Sequence, residues 1–143
     1  MGTISENFSY REFERSDTAK RYGICNAINT AAVRDAVREL TLEVLQPLRD
    51  RIGLPIIITS GYRCPELNAM ICGSATSQHK TGEAADIKVT GMSSFDLAEK
   101  IIELNLPFDQ LIFYPTFVHV SHKLGGPQRR QLLYNRSYKG ATI

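Results

Sequence analysis

Ser77-Gln-His-Lys-Thr-Gly-Glu-Ala-Ala-Asp86, answered some thirty residues later by Phe117-Val-His-Val-Ser121, governs the reading of this chain. The first stretch is polar, carries Gly82 midway and ends in small apolar residues, the pattern of a loop running into a strand. His79 and Asp86 stand seven positions apart, too far for adjacent turns of one helix face. In the second stretch, strand alternation sets His119 on the face opposite Val118 and Val120. An imidazole in that apolar setting is open to two roles, metal ligand or hydrogen-bonded core residue. Together the two segments supply two imidazoles and one carboxylate, a donor set that commonly holds a catalytic zinc and leaves one coordination position open.

Working outward, Ala84 to Val89 reads as a strand carrying Asp86, while Phe108 to Tyr114 and Phe117 to Ser121 read as two strands around a turn at Pro115-Thr116. Between them Ser93 or Ser94 caps a helix running through Leu97, Ile101 and Leu104. Upstream, Val33, Val37, Leu40, Val44 and Leu48 recur at spacings of three and four, which predicts an amphipathic helix over Thr30 to Arg51, kinked or divided near Pro47. Leu54 to Ser60 is a β-branched run bounded by Gly53 and Gly61, hence a buried strand, and Pro65 opens a short helix that Gly73 closes. Ser9 is set to cap a short helical opening around Phe13, and the basic, partly aromatic end of the chain reads as an edge strand and tail.

The chain has 143 residues, enough for a single domain over 1–143 with its own hydrophobic core. A formal charge of +2 with Lys and Arg dispersed does not call for a nucleic-acid partner. Arg129, Arg130, Arg136 and Lys139 near the end read as a solvated basic edge. Three cysteines, Cys25, Cys64 and Cys72, are an odd number without CxxC spacing and give no disulfide framework, which fits synthesis in a reducing, cytoplasmic setting. The amino terminus shows no basic-then-apolar export signal, and no segment has the roughly 20 apolar residues of a membrane helix.

Four pieces in order, Ser60-Gly-Tyr-Arg-Cys-Pro-Glu-Leu-Asn68, Ser77 to Ile87, Phe108-Asp-Gln-Leu-Ile112 and Phe117-Val-His-Val-Ser-His122, resemble the zinc D-Ala-D-Ala carboxypeptidases and L-alanyl-D-glutamate endopeptidases of bacterial and phage cell-wall metabolism. The opening Glu6 to Ile24 and the helix end Glu43 to Gly53 are also similar to the small members, so the likeness spans most of the chain up to His122. The resemblance implies an α+β hedgehog-like domain, a small mainly antiparallel sheet flanked by helices. It implies Zn2+ held by His79, Asp86 and His119, with peptidoglycan stem peptides as substrate. It also implies a phage or prophage setting in which another protein's action releases the enzyme to the wall.

On the same resemblance Arg63 is placed to bind or polarise a substrate carbonyl or carboxylate, a task suited to a planar guanidinium fork. Ser77 is set to contact substrate or to cap its loop. Asp109 and Gln110 match an Asp-Gln pair that orients a ligand imidazole or touches substrate.

One element of the pattern is missing. Zinc peptidases need a general base, normally a carboxylate, and many relatives carry an acid shortly before the last histidine ligand. Residues 113–118 here are Phe-Tyr-Pro-Thr-Phe-Val, with Tyr114 where small relatives carry Glu. Glu83 beside Gly82, Asp109 turned inward, or Tyr114 as a donor to developing negative charge are the candidates for the vacancy. His122 is another proton carrier by type, although alternation turns it from the face of His119. A rival reading follows: a zinc-containing module that binds wall peptides or a protein and has lost its base.

Overall fold

Alternation along three neighbouring strands divides the sheet into one face for the core and one for chemistry. In the computed structural model, which describes residues 2–143, the main sheet comprises β3 (Ile57–Ser60), β4 (Ala84–Lys88), β5 (Gln110–Phe113), β6 (Val118–Ser121) and β7 (Gln131–Tyr134) in the order β3-β4-β6-β5-β7. A separate ribbon, β1 (Thr3–Ser5) paired with β2 (Phe8–Ser9), precedes it. The register aligns Ala85, Val120 and Leu111 in one row and Ile87, Val118 and Phe113 in another. All six are fully buried and share a cluster with Val37, Leu40, Val44 and Leu48 from one helical run and Leu97, Ala98 and Ile101 from another. At roughly 1.5–3 kcal/mol for each large apolar side chain removed from water, this face supplies the main stabilisation.

The intervening row presents Asp86, His119 and Ile112 on the opposite face. The expected strand-borne ligands are therefore cross-strand neighbours.

Helices α1 (Tyr10–Glu14) and α2 (Asp17–Arg21) make up the opening segment. Ser9 precedes α1, and its amide donates to the Glu12 carboxylate at 2.8 Å. The long helix begins as α3 (Ala31–Leu40), where Thr30 Oγ1 accepts the Val33 amide, and ends as α4 (Gln46–Ile52) at the left-handed Gly53. The expected disturbance at Pro47 takes a definite form, a π-helical turn over Thr41–Leu45 that carries the run without a break. Proline has no N–H to donate and its ring crowds the carbonyl of the preceding turn, which the wider turn relieves.

The strand expected from Leu54 begins only at Ile57, since Pro55 has no N–H for a ladder. Helix α5 (Pro65–Met70) follows, and Ser93 caps α6 (Ser94–Glu103), its Oγ accepting the Asp96 amide at 3.0 Å. The sheet is antiparallel except for one pair: β7 lies parallel to β5 as the outer edge. That return brings the basic end of the chain beside the site. Among the described residues no helix is long and apolar enough to cross a membrane.

Candidate metal centre and its cleft

Two of the three candidate ligands are fixed by the sheet and the third by a loop packed on α3. Asp86 on β4 faces His119 on β6, with His119 Nδ1 and Asp86 Oδ1 3.0 Å apart. His79 arrives in consecutive turns in which the Lys80, Thr81 and Gly82 amides donate to the carbonyls of Ser77, Gln78 and His79. Gly82 has φ +79°, and a Cβ there would lie 2.8 Å from the Val33 carbonyl oxygen, so only glycine permits both the turn and its approach to α3.

His79 Nδ1 lies 2.7 Å from the Gly61 carbonyl oxygen. A carbonyl can only accept, so Nδ1 carries a hydrogen, which orients the ring and leaves Nε2 as the atom turned to the candidate metal position. That Nε2 is 3.2 Å from Asp86 Oδ1. Burial works against ionisation of Asp86, but hydrogen bonds from His119 and His79, with their charge, hold its pKa well below the ordinary 3.8.

The ligand atoms of the three residues all lie within 4.8 Å of one another, the one such group found among the described residues. Two imidazoles and a carboxylate, one ring already oriented through its second nitrogen, fit zinc with a coordination position left towards the cleft.

The cleft has a volume of about 530 Å³ and is walled by Arg63, Ser77, Gln78, Gln110, Tyr114 and Arg129, among others, around the three ligands. Arg63 is fixed on two sides, Nε donating to Ser60 Oγ at 3.2 Å and Nη1 to Asn68 Oδ1 at 3.0 Å. Its Nη2 lies 4.0 Å from Asp86 Oδ2, beside the ligands. Burial lowers the Arg63 pKa, while the charge of Asp86 opposes that shift. Gly73 keeps this arrangement open: a Cβ there would sit 2.2 Å from Asn68 Oδ1 and 2.9 Å from Arg63 Nη1.

Tyr114 stacks on Phe117 with ring centroids 4.4 Å apart, and its phenol is pushed above the ordinary 10.0 by burial and by the charge of Asp86. It is therefore protonated at neutral pH, a donor and not a base. Ser77 Oγ accepts the His79 amide at 3.2 Å, so this residue both closes the ligand loop and faces the cleft. Gln110 donates its side-chain amide to Gln131 Oε1 at 2.8 Å.

Two candidate bases are drawn elsewhere. The Glu83 carboxylate accepts the Thr81 hydroxyl at 2.6 Å and the Leu124 amide at 2.8 Å, and Glu83 is not among the residues lining the cleft. Its own carbonyl is bound by the His122 amide, which commits the backbone to the sheet and directs the side chain to the Leu124 loop.

Asp109 is fully buried and accepts three side-chain hydrogen bonds from Arg129, one from the Arg129 amide and one from Gln78. Those bonds, the Arg129 side chain foremost, lower its pKa from 3.8 to about 2. Asp109 hydrogen-bonds neither ligand imidazole, so it is an anchor for Arg129 and Gln78 in place of the expected imidazole partner or proton carrier.

His122 lies on the other side of β6, with ring nitrogens 2.6 Å from the Pro107 carbonyl and 2.9 Å from Glu39 Oε1. None of the three cysteines belongs to the metal group; Cys64 Sγ caps α5 by accepting the Leu67 amide. Asp86 is the one carboxylate lining the cleft among the described residues. Sequence patterning assigns no place in the site to Arg129, Gln78 or Asn68. Arg129 is twenty positions from Asp109 and reaches it only through the parallel return of β7.

Comparison with protein families finds a match over residues 6–121 to the family described as Peptidase M15. No curated protein matches the chain. The match ends at Ser121, the last residue of β6, and leaves Arg129 and β7 outside it.

Proposed function

The chain belongs to the peptidase M15 family, and from that premise we propose that it is a zinc-dependent peptidase hydrolysing peptide bonds in peptidoglycan stem peptides. The observation that carries this reading is the convergence of His79, Asp86 and His119 at the floor of a cleft walled by Arg63 and Tyr114. Zinc held by these three residues would supply Lewis acidity, polarising a carbonyl and acidifying water.

The chain's own groups do the rest. Arg63, locked by Ser60 and Asn68, directs a guanidinium donor to the space beside Asp86, where a scissile carbonyl oxygen gains negative charge during attack. Tyr114 donates its phenolic hydrogen to the same oxygen. Ser77 and Gln110 line the channel along which an extended peptide lies. Resemblance to small phage and prophage members supports a wall-lytic setting, with delivery by another protein.

The sequence features fit either release of a terminal D-alanine or cleavage of an internal L-alanyl-D-glutamate bond. Digestion of purified peptidoglycan by zinc-loaded protein, with mass analysis of the products, tests the activity and identifies the bond. A specific observation favours a second reading: among the described residues no carboxylate apart from Asp86 lines the cleft to receive the proton of the attacking water. If the zinc-loaded protein sediments with walls of several stem chemistries and releases no peptide, it is a binding module on the same scaffold.

A further inference from the structure

Arg129 is an exposed residue held as firmly as a buried one. Its side chain is 56% accessible, yet Nε and Nη2 both hydrogen-bond the carboxylate of Asp109, at 3.1 and 3.2 Å and at 2.7 Å, and its backbone amide bonds the same group at 2.8 Å. Asp109 itself has no exposure and also anchors Gln78, the residue beside His79. Among the described residues Arg129 Nη1 has no hydrogen-bond partner, so both of its hydrogens and one of Nη2 are free. This guanidinium lines the cleft.

A latch between the β7 segment and the sheet would need no such free edge, and an apolar pair could serve there with no buried charge. The cleft's charged walls are Arg63, Arg129 and Asp86, an excess of positive charge before any metal is counted. Arg63 lies beside the ligands, whereas Arg129 hydrogen-bonds none of them and connects to the metal loop only through Asp109 and Gln78. The two guanidiniums therefore meet different parts of a peptide. Gln78 belongs to the same network: its Nε2 donates to Asp109, and its Oε1 is buried without a partner.

We propose that Arg129, preset by Asp109, is a specificity-determining residue that binds a free α-carboxylate on the substrate residue supplying the leaving amine. The inference rests on the peptidase reading for the identity of the ligand. It deepens that reading because both bonds under consideration have the same chemistry on that side. A terminal D-alanine carries the chain's end carboxylate, and a γ-linked D-glutamate carries a free α-carboxylate one residue from the cut. An Arg fork fixed in advance loses little freedom on pairing with such a group, and binds it through parallel N–H donors. Amidation of that carboxylate removes the charge and leaves one acceptor oxygen, with an N–H donor facing the second N–H of the fork.

The test is the ratio of two affinities, measured by isothermal titration. The probes are acetyl-L-Lys-D-Ala-D-Ala, with its terminal carboxyl free or amidated, and acetyl-L-Ala-γ-D-Glu-L-Lys-amide, with the D-Glu α-carboxyl free or amidated. Zinc-free protein is titrated, because there the carboxylate has no metal to bind and the probe is not cleaved, and zinc-loaded protein is titrated with each probe that mass analysis shows to stay intact. Wild type is expected to bind the acid of at least one pair about tenfold or more tightly than its amide in each form titrated, the worth of a charged hydrogen-bond pair.

Arg129→Gln leaves the Asp109 charge buried and unpaired, so the double variant Arg129→Gln/Asp109→Asn, which removes both charges, is measured alongside it. Either variant, shown folded by circular dichroism, is expected to bring the acid-to-amide ratio close to one. A ratio that persists in the folded double variant overturns the proposal, as does a wild type that does not discriminate or binds none of the probes. Parallel loss of acid and amide binding overturns it too, since that is the signature of a latch. Acid-selective binding without hydrolysis of walls would keep this inference and remove the peptidase reading; hydrolysis without acid preference would do the reverse.

Discussion

Asp86 and His119 stand directly opposite each other on β4 and β6, and one carboxylate oxygen of Asp86 lies 3.0 Å from His119 Nδ1 and 3.2 Å from His79 Nε2. A single oxygen thus marks the centre of the donor set, while the other faces Arg63. The pairing is a property of strand register: a one-residue slip of β6 would send His119 into the core and bring a valine to the cleft. Asp86→Asn removes the negative donor and is expected to lower zinc affinity by more than about 100-fold, beyond the range that outer partners of a metal ligand produce. Competition with a calibrated zinc chelator measures it, and an unchanged affinity would place the metal elsewhere.

Under the proposed function, Tyr114 is the expected donor to the negative charge that develops on the substrate carbonyl oxygen. Its raised pKa keeps the phenol protonated. Tyr114→Phe deletes only that hydrogen-bonding group, so kcat is expected to fall about 100-fold, the effect typical of an oxyanion donor, with zinc affinity unaltered. Steady-state kinetics on a synthetic stem peptide checks this; a KM change at constant kcat would assign Tyr114 to ground-state binding.

Glu83 is engaged by Thr81 and Leu124 away from the cleft. Glu83→Gln is expected to change the rate less than about threefold, in keeping with a surface substitution outside the chemistry. A drop of several orders of magnitude in the same kinetic assay would return Glu83 to the role of general base.

The ligand loop depends on Gly82. Alanine there must adopt φ +79° and meet the Val33 carbonyl oxygen, so Gly82→Ala is expected to cost roughly 1–3 kcal/mol of stability. Urea unfolding measures it, and an unchanged midpoint would mean that the loop does not pack on α3 as described.

Asp109 contributes a definite acid limb to stability. Its pKa falls from 3.8 to about 2 on folding, so its contribution is complete above pH ~4 and is lost as the pH drops towards and through ~2. The urea midpoint of wild type should decline over that interval, and Asp109→Asn should flatten the decline. An identical pH profile in the variant would show that the Arg129 contact does not persist in solution.

Much of the site was legible because its residues obey local rules. Alternation around His119, the glycine in the metal loop and the serine cap before α6 are set by neighbours in sequence, and their structural counterparts lie where those rules put them. The exceptions involve long-range pairing. Arg129 reads from sequence as part of a solvated basic end, since nothing within its own segment reveals that β7 runs parallel to β5 and delivers it to Asp109. Asp109 has the composition expected of a partner to an imidazole, but the competing guanidinium takes its oxygens. Glu83 adjoins the metal loop in sequence, yet the pull of the Leu124 amide decides its direction. Pro47 signalled a disturbance without revealing that a π-helical turn would absorb it.

The proposed activity requires that His79, Asp86 and His119 hold a zinc needed for cutting peptidoglycan. Zinc is titrated into metal-free protein incubated with purified peptidoglycan, and released stem-peptide fragments are quantified by mass spectrometry. Release should rise with zinc until the site is filled, and His79→Ala should yield none under the same conditions. Equal release from metal-free protein or from His79→Ala would contradict the account.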